Sequence, residues 1–74
     1  MKLTSLDRQW AQLMSLCEAE ARFRESAGHV RLKKLMASEI DQLASTMGFS
    51  PRRIATRDFR AERAGGHIVR ILTD

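Results

Sequence analysis

Leu43-Ala44-Ser45-Thr46-Met47-Gly48-Phe49-Ser50-Pro51-Arg52-Arg53-Ile54 joins an apolar helix end, a glycine break and the capped start of a new, basic helix. Gly48 ends the first helix, because a residue without a Cβ enters the left-handed region freely. Ser50 offers a side-chain oxygen to the unpaired amides of the next helix, and Pro51 fits its first turn, where no amide hydrogen is needed. Ile54 faces inward one turn later. The following inward position is Asp58 and not an apolar residue, which predicts a short helix and a new chain direction from Phe59.

Upstream, Leu32, Met36, Ile40, Leu43 and Met47 recur at helical spacing with His29 in phase before them. One helix from His29 to Met47 is the simplest reading. Ser38 with Asp41 three residues on could instead be a capping box that starts a separate short helix. Ser26-Ala27-Gly28 reads as the connection to an earlier helix, in which Leu3, Leu6, Trp10, Leu13, Met14, Cys17 and Ala21 share one stripe about 100° wide. Thr4 or Ser5 can cap that helix, with Asp7 suited to its positive end. The pattern fades near Ala21, and the backbone is expected to stay helical to Glu25. Phe23 falls off the stripe, either folded back at the helix end or available to another chain. As heptads, Leu3, Trp10 and Cys17 alternate with Leu6 and Leu13, so this helix could pair with a copy of itself, although barely two heptads are present.

The tail is open to two readings. His67-Ile68-Val69-Arg70-Ile71-Leu72 after Gly65-Gly66 is rich in β-branched residues and could be a strand, with Phe59 to Arg63 as its hairpin partner. An isolated hairpin is marginal in water, so a short closing helix is preferred. The expected fold is all-α: a single domain over residues 1–74, of three or four helices, with two long antiparallel helices (Leu3 to Glu25 and His29 to Met47), a short capped helix, and a C-terminal segment that is a short helix or a strand.

At 74 residues, one core of this size is marginal without disulfides, metals or a second chain, which makes a homodimer the default. The single cysteine, Cys17, excludes an internal disulfide and suits a reducing cytoplasm. Charge at Lys2, Asp7 and Arg8 interrupts the N-terminus before a secretory signal could form, and no stretch approaches membrane-spanning length. The net charge is +4. It is uneven: from Ser50 onward, Arg52, Arg53, Arg57, Arg60, Arg63 and Arg70 face only Asp58, Glu62 and Asp74. Such a half can be a polyanion-binding surface or a solvated arginine-rich face.

Across residues 38–57, the spacing of Leu43, Ala44, Met47, Gly48, Phe49, Ser50 and Ile54 resembles helix-turn-helix DNA-binding segments, in which an alanine packs on the second helix and a glycine makes the turn. That resemblance implies a recognition helix from Pro51 to Arg57, with Arg52, Arg53, Thr56 and Arg57 turned outward to double-stranded DNA. Arg60 and Arg63 would add phosphate contacts. One departure is Arg57, where the motif's late inward position is usually apolar. The stretch from Glu39 through Pro51 to Ile54 also resembles a group of small bacterial helical domains without an established function, which implies helices and no particular activity.

No residue pattern suggests catalysis, a cofactor, a bound metal or a small-molecule ligand. His29, His67 and Cys17 lack metal-ligand spacing, Cys17 has no histidine near it in sequence, and Gly65-Gly66 is far from a phosphate-binding loop. Glu18, Glu20 and Glu25 beside Arg22 and Arg24 read as a solvated charge lattice. Two functions remain. One is a small basic regulator that binds DNA; the other is a helical-hairpin adaptor that pairs with itself or a partner, with Leu3, Trp10 and Phe23 as interface residues. A break at Ser38 favours the first, and an unbroken helix from His29 to Met47 favours the second.

Overall fold

The computed structural model describes residues 4–74, so Leu3 lies outside the described residues. The elements run α1 (Ser5–Phe23), α2 (Val30–Thr46), α3 (Pro51–Thr56), β1 (Arg60–Ala64) and β2 (His67–Leu72). The all-α expectation is therefore corrected. Three helices are followed by a two-stranded antiparallel sheet, and the fold is mixed α and β.

The helices start and stop where their chemistry dictates. Thr4 caps α1 by accepting from the Asp7 amide, and Asp7 reaches back to the Thr4 amide to complete a capping box. His29 precedes α2 in the left-handed region (φ 61°) and provides no side-chain cap. Its ring meets Phe23 edge-on at 5.2 Å, which folds Phe23 back over the connection. Helix α2 passes Ser38 without interruption, so the second capping box is not used. Gly48 takes φ 93° after its end. Ser50 then accepts from the Arg53 amide to cap α3, with Pro51 in the first turn.

Helices α1 and α2 form the hairpin that the short connection requires. Leu13 and Ile40 are fully buried between them, with Ala44 and Phe49 completing the centre. Complete burial of each large aliphatic side chain contributes about 1.5–3 kcal/mol. Trp10, Met14, Cys17, Leu43, Ile54, Phe59 and Ile71 close around that centre. Phe59 packs edge-on against Phe49 at 4.9 Å, which explains the change of direction after α3.

The tail is a β-hairpin because Gly65 (φ 59°) and Gly66 (φ 82°) form a two-residue turn with both residues left-handed. That turn twists in the sense adjacent strands need. Pairing runs Arg60 with Leu72, Ala61 with Ile71 and Glu62 with Arg70, then shifts to Arg63 with Ile68 and Ala64 with His67. Val69 is left over as a bulge. The hairpin gains its stability by docking: Ile68 is buried and Ile71 packs on the helical core. Behind it, Thr73 carbonyl accepts from the Ser50 amide at 2.8 Å and ties the tail to the start of α3.

Candidate functional site

The basic half of the chain is assembled as the sequence suggests, but most of its arginines are occupied internally. Arg57 ends α3 with φ 58° and turns its guanidinium back into the protein. There Nε and Nη2 donate to the two oxygens of Glu20 at 3.0 Å each, and Nη1 donates to Asp41 Oδ1 at 2.8 Å and to the Ile54 carbonyl at 2.8 Å. The Glu20 carboxylate, aided by Asp41, raises the Arg57 pKa still further. The outward orientation that the resemblance implied for Arg57 is corrected: this residue joins α3 to both long helices.

Arg53 is also committed. Its side chain is only 17% exposed and lies 3.6 Å from the Asp58 carboxylate, while Nε donates to the Asp74 carbonyl. Arg60, on β1, donates to the other Asp58 oxygen at 2.9 Å but stays largely exposed. Thr56 is exposed, and its hydroxyl donates back to the Arg52 carbonyl at 3.0 Å. Arg70 pairs with Glu62 across the sheet. Among the described residues, Arg52 and Arg63 are therefore the arginines after Ser50 with no ion pair. Arg52 shares an open hollow with Arg53, Thr56, Asp58 and Asp74, so two carboxylate-bearing residues sit on the face expected to attract phosphate.

The interface residues separate as well. Trp10 is half-buried, packs on the core and lines a second hollow with Asp7, Met14, Arg63 and Ile68. It serves as a core residue. Phe23 is half-buried against His29 near the connection. Leu32, read as part of the inward stripe, is 37% exposed, and Leu35 on the same helix is 58% exposed. Neither belongs to the packed centre.

Asp7 was legible only as a helix-start carboxylate, and the structure makes it the link between α1 and the hairpin. Buried at 9% exposure, it accepts from the Ile68 amide at 2.9 Å, from the Thr4 hydroxyl at 2.7 Å and from the Thr4 amide at 3.1 Å, with His67 Nδ1 at 3.0 Å. The Ile68 amide first, then Thr4 and His67, hold its carboxyl well below the usual carboxylate range. Oδ1 takes the Ile68 amide, and Oδ2 gathers the Thr4 and His67 contacts. Cys17 is half-buried, and burial pushes its thiol above the ordinary value, which keeps it protonated near neutral pH. Among the described residues no group of three His, Cys, Asp or Glu side chains could hold a metal ion, and no helix is long and apolar enough to cross a membrane.

No protein-family model, curated protein or solved structure matches this chain.

Proposed function

We propose that this chain is a helical-hairpin protein-interaction module that presents the outer side of α2 to its partner. The observation that carries this reading is the unbroken α2 helix from Val30 to Thr46, with Leu32 and Leu35 exposed on it. A long continuous helix suits a docking surface. The helix-turn-helix reading calls for a shorter first helix and a recognition helix free to meet a groove, whereas α3 has six residues and anchors Arg53 and Arg57 inside the fold.

A second reading, DNA binding by the basic half of the chain, is favoured by Arg52 on α3 and Arg63 on β1, which have no ion pair among the described residues, and by exposed Thr56 and Arg60. Those groups are suited to phosphate contact. On this reading the affinity would fall steeply with salt and carry little base preference, because phosphate contacts position a protein without reading sequence.

A labelled random-sequence duplex, titrated at low and moderate salt alongside sedimentation of the same protein, separates the readings. A self-associated protein that leaves the duplex free supports the interaction module. A monomer that binds duplex at low salt, and loses it in the Arg52→Ala, Arg63→Ala double variant, overturns it in favour of DNA binding.

A further inference from the structure

We infer that the partner seated on α2 is a second copy of this chain, docked antiparallel about a two-fold axis that passes beside Leu35. This rests on the interaction-module reading and names its occupant and geometry.

Helix α2 divides sharply into two sides. Met36, Ile40 and Ala44 are buried, and Asp41 is drawn toward α3 through Arg57. Leu35 lies about 120° round the helix from Asp41, on a side where Arg31, Leu32, Lys34, Leu35, Ser38 and Glu39 are all exposed. Within that side, Arg31, Leu35 and Glu39 follow one another at intervals of four residues and form a single ridge. Neither Arg31 nor Glu39 has an ion-pair partner among the described residues.

The order of that ridge, cation then apolar then anion, is self-complementary when reversed. A two-fold axis at Leu35 sets Leu35 against its own copy and brings Arg31 of each chain to Glu39 of the other, so the same ion pair forms twice. Symmetric interfaces need this property, since one patch must match itself. A parallel arrangement would instead set Arg31 against Arg31 and Glu39 against Glu39. The apolar centre at Leu35 and Leu32, flanked by charge, also has the layout of a small interface core with a polar rim. The heptads of α1 are not needed, because Trp10, Leu13 and Cys17 already face the core.

The test is a charge-swap cycle on the full chain, read by sedimentation equilibrium. Arg31→Glu and Glu39→Arg each convert two attractions into two repulsions and should weaken the dimer about tenfold. The R31E, E39R double variant should recover the parent affinity, which a merely structural role for either residue would not produce. In a Cys17→Ala background, Leu35→Cys should form an intermolecular disulfide on mild oxidation. A parent dimer that ignores both reversals and gives no Leu35→Cys cross-link overturns this geometry while leaving the interaction-module reading intact. A monomeric parent that still pairs through α2 with a different protein overturns the choice of occupant. A monomeric parent whose α2 surface engages no protein overturns both.

Discussion

Replacing Arg57 with methionine keeps the aliphatic stem but leaves Glu20 facing a half-buried site without its partner. Exposed ion pairs contribute about 0.2–1 kcal/mol and severed buried ones cost about 3–5 kcal/mol. Arg57 and Glu20 are about three-quarters buried, while Asp41 is 56% exposed. The expected loss is therefore about 2 kcal/mol, read as a lower urea midpoint with unchanged slope; an unmoved midpoint would show that Arg57 is not structural. Asp7 has a pH signature. Its carboxyl titrates below the unfolded value because Ile68, Thr4 and His67 favour the charged form. The linkage is therefore stabilising above the unfolded pKa, and it fades as pH falls below about 5 toward the depressed folded value. Asp7→Asn should lower stability at pH 7 and flatten the acid limb of a stability profile, whereas parallel profiles for parent and variant would exclude this role. Arg57 was detectable in the sequence as a charge where an apolar residue was due. Its partners were not, because Glu20 and Asp41 lie 37 and 16 residues away, beyond any helical spacing.

Three helices could be read from their periods and caps, since Thr4, Gly48, Ser50 and Pro51 satisfy local needs that no tertiary contact has to supply. The hairpin was harder for a definite reason. Its inward residues are Ile68, which is buried, and Ile71, which packs on the core, and they stand three apart like one turn of a helical stripe. The bulge at Val69 produces that spacing by inserting one residue and re-aiming the strand. What separates the two states is the Gly65-Gly66 turn and its docking on Asp7. Gly66→Val places a β-branched residue at φ 82°, with an expected cost of about 1–2 kcal/mol. Amide exchange should then accelerate first at Ile68 and Arg70, ahead of Ile40 in the core. Uniform acceleration across the chain would mean that the hairpin does not open separately.

At the scale of the molecule, charge and surface lead to different partners. Arg53, Arg57, Arg60 and Arg70 meet carboxylates, and Arg57 turns to Glu20 and Asp41 from outside the basic half, so that half is less cationic at its surface than its sequence implies. Whether an arginine is surface or scaffold depends on long-range partners, and for that reason the candidate DNA face could not be judged from composition. The exposed Leu32 beside the α2 ridge was hidden in the same way, because it falls in phase with the core stripe and becomes exposed only beyond the packed centre. Sedimentation equilibrium of the parent chain and Leu35→Asp over a wide concentration range decides whether α2 pairs with its own copy. Leu35 is 58% exposed, so the substitution should leave folding nearly unchanged. Pairing through Leu35 gives a reversible species of twice the 8.4 kDa chain mass for the parent, and a monomer with the same helical circular dichroism for Leu35→Asp. A parent and variant that associate equally, or a parent that stays monomeric throughout, would contradict it.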